Sequence, residues 1–121
     1  MSKRYYVVIE PAERRNTDET IRRVPVINGD TVEQLHQMQE LVRGYIEVVP
    51  GEDEGMGIIC NEIGRLLKMR KNKRASLLTG SDILGPVLVV QLVSRDGETA
   101  LMGFDDLTSR QLCYRWKRPC V

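Results

Sequence analysis

Six basic side chains lie within ten consecutive residues, and no acidic residue interrupts them. They are Arg65, Lys68, Arg70, Lys71, Lys73 and Arg74. Lysine and arginine at this density bind phosphate groups, either of a nucleotide or of a nucleic-acid backbone. The same pattern is typical of a sheet edge that charge protects from pairing with another sheet. This basic segment (residues 65–74) therefore has two interpretations, an anion site and a solvated edge.

The end of the basic segment favours the anion site. Asn72 has the side chain of an N-cap for a short helix through "RASLLT", which places Lys73 and Arg74 in the first turn. The helix macrodipole disfavours cations there by about 0.3 to 1 kcal/mol, and an anion bound at the exposed amides would offset that cost. We predict that the anion is bound by Lys68, Arg70, Lys71, Asn72, Lys73 and Arg74.

No second pattern of residues predicts catalysis or metal binding. His36 is the only histidine, and Glu40 four residues later is typical of an exposed helical pair and not of a general base. The acidic loop "GEDEGMG" at 51–57 has the spacing of neither a calcium loop nor a dinucleotide fingerprint. We therefore expect no enzymatic activity, no metal and no cofactor.

Extended nucleic acids bind proteins that offer aromatic side chains for base stacking, and the basic segment contains none. Tyr114 and Trp116 lie among the bases of the C-terminal segment, but the spacing of Trp116 from Leu112 predicts a core position. The sequence contains no helix-turn-helix signature and no zinc-finger spacing. We expect no sequence-specific DNA binding.

The composition is that of an ordinary globular protein. The chain has 121 residues, of which 41% are hydrophobic and 29% charged, with a net charge of +1, and we predict a single domain over residues 1–121. Cys60, Cys113 and Cys120 form no CxxC pair, which favours free thiols in a reducing compartment. No stretch is apolar enough for a signal peptide or a membrane span. We expect a cytoplasmic protein that does not contact membranes.

Short runs of β-branched and aromatic residues predict strands at 4–10, 19–28, 45–49, 56–62, 85–94 and 98–104. Pro25 favours a sheet edge, 85–94 is the candidate central strand, and Asp96–Gly97 is a strong hairpin signal. A type I turn from Asn61 to Gly64 would return the chain as a further strand.

That return strand would run from Arg65 to Met69. Its alternation would direct Leu67 and Met69 towards the core, with Lys68 and Arg70 on the other face.

The first predicted helix spans about residues 31–43. Either Asp30 or Thr31 can form its capping box, and Gly44 can supply the left-handed residue that ends it. Its apolar stripe consists of Val32, Leu35, Met38, Leu41 and Val42.

The second predicted helix spans about residues 109–117. Thr108 and Gln111 would form its capping box, with Leu107 and Leu112 as a hydrophobic staple. Because strands outnumber helices and arrive in hairpins, we predict an α+β fold with a mainly antiparallel sheet and two principal helices.

Several short motifs, in their order, resemble a known family. The motifs are "GYIEVV" after a helix, "CNEIGR" in a turn, "NKRA", "GPVLVV" and a terminal "LTSRQL". Together, from about Val7 to Trp116, they are similar to the uncharacterised family catalogued as domain of unknown function 3846. That family is met in phages, conjugative elements and their bacterial hosts, so the resemblance implies an accessory protein of a mobile element. No catalytic or binding residue is established for the family.

We therefore expect a non-enzymatic accessory protein of a phage or mobile element that binds an anion through a local basic patch. The anion would be a nucleotide or a nucleic-acid phosphate, and sequestering a nucleotide signal would be a counter-defence role. The alternative is a protein-interaction module that inhibits a host or element protein through the acidic loop or a sheet edge. A homo-oligomer is compatible with the sequence.

Overall fold

The computed structural model describes residues 3–12 and 19–117, and within them the chain forms six strands and three helices. The strands are β1 (Tyr5–Glu10), β2 (Thr20–Pro25), β3 (Ile46–Pro50), β4 (Met56–Asn61), β5 (Val87–Arg95) and β6 (Glu98–Met102). The helices are α1 (Thr31–Val42), α2 (Lys73–Thr79) and α3 (Asp106–Lys117). Cys120 lies outside the described residues.

The strands form one antiparallel sheet in the order β2-β1-β5-β4-β3, and β6 pairs with the second half of β5. β5 is central because Val89 pairs with Val7 of β1 on one side and with Ile58 of β4 on the other. Pro25 lies in the edge strand β2, and the Asp96–Gly97 turn has the positive φ angles of 51° and 81° that a two-residue hairpin needs. The predicted α+β fold with an antiparallel sheet is confirmed.

Both faces of the sheet are covered, because alternate residues of its central strands point to opposite sides. Val7 and Ile9 belong to the core cluster under α2 and α3, which contribute Ala75 and Trp116. The residue between them, Val8, belongs to the cluster on the other face, where α1 packs. The result is a sheet with α1 on one face and α2 and α3 on the other.

The predicted return strand from Arg65 to Met69 is wrong. Residues 62–68 form consecutive turns, in which the Leu67 amide donates to the Ile63 carbonyl at 3.1 Å. Leu67 is 52% exposed and does not enter the core. A return strand has no place because β3 and β5 already pair with the two edges of β4. The turn from Asn61 to Gly64 does form, with a 3.3 Å hydrogen bond, but the chain leaves it without re-entering the sheet.

Helix α1 begins as predicted and ends one residue early. Asp30 forms the capping box with Glu33, whereas Arg43, and not Gly44, adopts the left-handed conformation at φ 64°. Met38 and Val42 are buried, but the first members of the predicted stripe, Val32 and Leu35, are exposed. Only the C-terminal half of α1 is therefore buried against the sheet.

Helix α3 begins three residues earlier than predicted. The Thr108 amide donates to the Asp105 carboxylate at 2.7 Å, so Asp105 caps the first turn and Thr108 lies inside the helix. The predicted capping box at Thr108 is therefore wrong, and so is the staple, because Leu107 is exposed. Trp116 is buried, as predicted.

The hydroxyl of Tyr6 is buried against α1 and has no hydrogen-bond partner within residues 3–12 and 19–117. Burial raises the pKa of Tyr6 to about 12. We expect Tyr6→Phe to stabilise the fold by about 1 kcal/mol, because the variant no longer buries an unpaired hydroxyl. Wild type should also lose stability between pH 10 and pH 12, where the unfolded tyrosine ionises and the folded one stays protonated.

Urea unfolding of wild type and Tyr6→Phe at pH 8 and pH 11 measures both effects. A variant that is less stable at pH 8, or whose stability falls as steeply as that of wild type at pH 11, would contradict this account of Tyr6.

Candidate anion-binding site

The basic segment does not form one continuous strip in the structure. Asn72 is 0% exposed, whereas Lys73 beside it is on the surface. Asn72 caps α2, as its residue type predicted, by accepting a 3.1 Å hydrogen bond from the Ala75 amide. Its Nδ2 donates to the carbonyls of Ile9 at 2.9 Å and Gly85 at 3.0 Å. Both amide hydrogens are thus engaged within the chain, so the side chain joins α2, β1 and the approach to β5.

The first turn of α2 already faces a carboxylate of the same chain. The Arg74 amide lies 3.0 and 3.1 Å from the two carboxylate oxygens of Glu19. The Arg74 guanidinium donates to the Trp116 carbonyl at 3.1 Å, at the C-terminal end of α3 where the helix dipole favours a cation. Arg74, whose place in the first turn of α2 looked unfavourable in the sequence, therefore has a partner for its backbone amide and another for its guanidinium.

Asp82 lies between two further members of the basic segment. Its carboxylate oxygens are 3.4 Å from the Arg65 guanidinium and 3.4 Å from the Lys71 ammonium. These pairs are exposed, so each contributes little to stability. They reduce the positive potential around Arg65 and Lys71.

Lys68 and Arg70 lie together in a cleft that a distant part of the chain completes. The cleft has a volume of about 420 Å³, and its lining includes Glu10, Arg43, Lys68, Met69, Arg70 and Gly85. Its one carboxylate, the half-buried Glu10, is 3.8 Å from the exposed Arg43 guanidinium, a long ion pair. Neither Lys68 nor Arg70 has an ion-pair partner among the described residues. We call this feature the basic cleft.

The backbone of the basic cleft is strained at two positions. Arg43 and Lys68 have φ angles of 64° and 53°, in the left-handed region that non-glycine residues rarely adopt. Gly85, also in the lining, has a φ of 86°. At Arg43 the conformation ends α1, as left-handed residues commonly do at helix C-termini.

Asn61 connects Arg43 to the turn that carries Lys68. Its Nδ2 donates to the Val42 carbonyl at 3.0 Å and to the Arg43 carbonyl at 3.1 Å, and its Oδ1 accepts from the Ile63 amide at 2.8 Å. The C-terminal end of a helix is electronegative and repels anions. By covering two terminal carbonyls of α1, Asn61 reduces that repulsion beside the basic cleft.

A second hollow is lined by two further members of the basic segment. Lys71 and Lys73 line it together with Glu52, Asp82 and residues near Gly80. Its charges balance more closely than those of the basic cleft. The second hollow shares no lining residue with the basic cleft.

Each predicted site residue therefore has a definite position. Lys68 and Arg70 line the basic cleft, Lys71 and Lys73 line the second hollow, and Asn72 and Arg74 bond within the chain. Sequence reasoning missed Arg43, which no local motif marks. The only signal was its place at the end of the first predicted helix, where basic residues often interact with the terminal carbonyls.

The other reactive side chains of the described residues lie apart from the basic cleft. Cys60 is buried, its thiol is 3.7 Å from the Glu47 carbonyl, and burial raises its pKa to about 11, so the thiol stays protonated near neutral pH. His36 lies on the exposed side of α1. No group of three or more histidine, cysteine or acidic residues is placed to hold a metal ion in the part of the chain that the structure describes. Within the same residues, no helix is long and apolar enough to cross a membrane.

The polar cluster at the start of α3 has a structural role. Arg23 of β2 donates to Asp106 at 2.6 Å and to the Ser109 hydroxyl at 3.2 Å, and it lies 4.3 Å from the centre of the Tyr5 ring. The hydrogen bond from Arg23 lowers the pKa of Asp106. This cluster attaches α3 to the sheet on the face opposite α1.

Comparison with known proteins agrees with the fold. A family model described as "Domain of unknown function (DUF3846)" matches residues 7–112. A solved structure of the small RNA methyltransferase HEN1 is similar, with 12% sequence identity and a TM-score of 0.59, over 93% of this chain and 16% of that chain. At this identity the likeness concerns the fold alone. No curated protein matches the sequence.

Proposed function

We propose that this chain, which belongs to the family of domain of unknown function 3846, acts by binding a phosphate-bearing ligand in the basic cleft. The observation that carries this proposal is that Arg43, from the end of α1, lines one cleft with Lys68 and Arg70, and that Glu10 is the one carboxylate in that lining. Guanidinium and ammonium groups bind phosphate oxygens through charge-assisted hydrogen bonds.

The proposal moves the centre of the predicted site away from Asn72. Lys68 and Arg70 remain ligand-binding residues, and Arg43 joins them. Lys71 and Lys73 line the second hollow, where Glu52 and Asp82 offset their charge, and they are not part of the basic cleft. Asn72 and Arg74 position the backbone that carries these side chains.

The test is salt-dependent binding of inorganic tripolyphosphate and of a fluorescein-labelled 12-residue oligothymidylate. We expect Lys68→Gln with Arg70→Gln to weaken both affinities about 10-fold or more at low salt. The slope of log affinity against log salt for the oligonucleotide should fall by about 1.4, since each phosphate contact to a single strand contributes about 0.7.

The matched control removes the same charge elsewhere. Arg22→Gln with Arg95→Gln replaces two exposed arginines of β2 and β5 and should leave both affinities within about twofold. Equal losses in the two double variants would mean that total charge, and not the basic cleft, drives binding. Wild type that shows no salt-dependent binding would contradict the proposal directly.

The proposed function also includes a cellular role for this binding. We infer a cytoplasmic accessory protein of a phage or mobile element, in which a bound nucleotide signal would be withheld from a host defence. The support is that the family is met in phages, conjugative elements and their bacterial hosts. The neighbouring genes give the test, because an accessory gene of this kind should lie among phage or conjugative genes.

A second candidate function is inhibition of a host or element protein through the edge of the sheet. β3 pairs only with β4 among the described strands, and the acidic loop that follows it is exposed. An unpaired edge is a template for strand addition by a partner. Capture of a host protein that Val48→Lys releases would support this function over the first.

A further inference from the structure

A carboxylate lies among the cations of the basic cleft. Glu10 follows Val8 by two residues in β1, so alternation directs both side chains to the face that α1 covers. Arg43 directly follows Val42, which packs in the same cluster as Val8. The Glu10 carboxylate and the Arg43 guanidinium are 3.8 Å apart, which is too far for a hydrogen bond. Among residues 3–12 and 19–117 the carboxylate has no other ion-pair or hydrogen-bond partner, so its oxygens can accept from a ligand.

The charges that line the basic cleft match a single phosphate group. Arg43, Lys68 and Arg70 contribute three positive charges and Glu10 contributes one negative charge, which leaves a charge of +2. A phosphate monoester carries about −1.5 to −2 near neutral pH, so one such group balances the cleft. A chain of phosphates would place surplus negative charge beside Glu10. The second hollow is not positioned to receive that surplus, because two carboxylates offset its two lysines and it shares no lining residue with the cleft.

The uncharged part of the lining suits a compact ligand. Pro11, Met69 and Pro86 supply apolar surface, and the volume of about 420 Å³ lies in the range of small-molecule sites. The backbone that carries Arg70 is held in place, because its carbonyl accepts a 2.8 Å hydrogen bond from the Gly85 amide. A Cβ on Gly85 would lie 2.5 Å from the Met69 sulfur, so the Met69 side chain packs directly on the glycine. A cleft that is formed before the ligand arrives spares the cost of ordering it on binding.

The Glu10 carboxylate determines what the ligand needs besides phosphate. It repels phosphate oxygens, whereas a hydroxyl group can donate a charge-assisted hydrogen bond to it. An ammonium group on the ligand could also pair with Glu10, but it would lie beside the three cations of the same cleft. A neutral hydroxyl group avoids that repulsion. The lining therefore matches a phosphate and a hydroxyl group on one small molecule.

We propose that the ligand of the basic cleft is a compact phosphate monoester, with its phosphate at Arg43, Lys68 and Arg70 and a sugar hydroxyl group donating to Glu10. This inference rests on the proposed function and adds the class of ligand. A phosphorylated sugar has this chemistry, either alone or within a nucleoside monophosphate. A nucleic-acid strand does not match it, because its phosphates repeat where the cleft offers one group of cations.

The experiment measures, by titration calorimetry at low salt, the binding of adenosine 5′-monophosphate, its 2′,3′-dideoxy analogue and inorganic phosphate. We expect wild type to bind adenosine 5′-monophosphate about 10-fold more tightly than the dideoxy analogue, which lacks both ribose hydroxyl groups. Glu10→Gln should bind inorganic phosphate about threefold or more tightly than wild type does, because it lacks the repelling carboxylate. The same variant should distinguish the two nucleotides by less than about threefold. A damaged fold would not raise the affinity for phosphate.

Ribose 5-phosphate distinguishes the two sources of this chemistry. Binding equal to that of adenosine 5′-monophosphate would assign a sugar phosphate as the ligand. Tighter binding of the nucleotide would assign a nucleoside monophosphate, whose base adds contacts with the apolar side chains of the cleft.

A matched control and three contrary outcomes keep this inference separate from the proposed function. Glu98→Gln removes an exposed carboxylate of β6, outside the lining, and should leave every affinity within about twofold. If wild type binds both nucleotides equally, or if Glu10→Gln binds phosphate more weakly, the role of Glu10 is overturned while the anion site stands. A 12-residue oligothymidylate that binds wild type about 10-fold more tightly than adenosine 5′-monophosphate would overturn the compact ligand. If wild type binds none of these phosphates in a salt-dependent way, the anion site itself fails.

Discussion

Replacing Asn72 with alanine lowers the free energy of unfolding by about 3 to 5 kcal/mol. The substitution removes a side chain that is 0% exposed and makes three hydrogen bonds. It leaves the carbonyls of Ile9 and Gly85 and the amide of Ala75 without these partners in the interior. Each buried polar group that loses its partner costs about 1 to 3 kcal/mol. For a chain of this size the loss lowers Tm by about 10 °C or more.

Urea unfolding, monitored by the fluorescence of the single tryptophan, Trp116, measures the effect. Asn72→Asp should destabilise the protein to a similar degree, because it keeps the cap on Ala75 but loses both donors and buries a charge. Lys73→Ala is the control, since Lys73 is exposed and should stay within about 0.5 kcal/mol of wild type. If Asn72→Ala has the same free energy of unfolding as Lys73→Ala, the Asn72 side chain does not hold these segments together. The prediction that Asn72 binds the anion would then be favoured again.

Replacing Asn61 with alanine lowers the free energy of unfolding by about 2 to 4 kcal/mol and also weakens binding in the basic cleft. Asn61 is 4% exposed and holds the carbonyls of Val42 and Arg43 together with the amide of Ile63. Without it, the end of α1 loses its donors and Arg43 loses its connection to the turn that carries Lys68. The uncovered carbonyls also present more negative charge to an incoming phosphate.

Two measurements on folded Asn61→Ala separate these effects. Hydrogen exchange should accelerate in the last turn of α1 and in residues 62–68 more than in the central strands, because the lost bonds join those two segments. Oligothymidylate affinity should fall about fivefold or more with the protein fully folded at low temperature. Glu62→Ala removes an exposed neighbouring side chain. It should neither accelerate hydrogen exchange in these segments nor lower the oligothymidylate affinity. An Asn61→Ala protein with wild-type stability and affinity would refute this role.

The two asparagines show why the candidate site had to be relocated. The sequence marks Asn72 as an N-cap and Asn61 as the first residue of a turn, and both roles are found in the structure. The other hydrogen bonds of these side chains reach carbonyls that are distant in sequence, such as Ile9 for Asn72. A cap motif reports only the amide that lies three residues on. The binding function predicted for Asn72 was based on its local cap alone, because its hydrogen bonds to distant carbonyls are not visible in the sequence.

The return strand from Arg65 to Met69 failed for a similar reason. Alternation of apolar and basic residues is the correct local signal for a strand. A strand also needs a free edge, and the edges of β4 are taken by β3 and β5. No local pattern records that competition. The segment therefore folds into consecutive turns, which expose Leu66 and Leu67.

The sequence by itself determined the class of the fold, the central strand, the hairpin at Asp96–Gly97, the cap at Asp30 and the family, because these depend on residues close together in the chain or on its overall pattern. Tertiary structure alone decided which bases act together. Glu19 and Asp82 approach Arg74 and Arg65 from other segments, while Arg43 lines the same cleft as Lys68. Charge density is a property of sequence, but the potential at a cleft depends on distances between segments, which only the folded chain fixes.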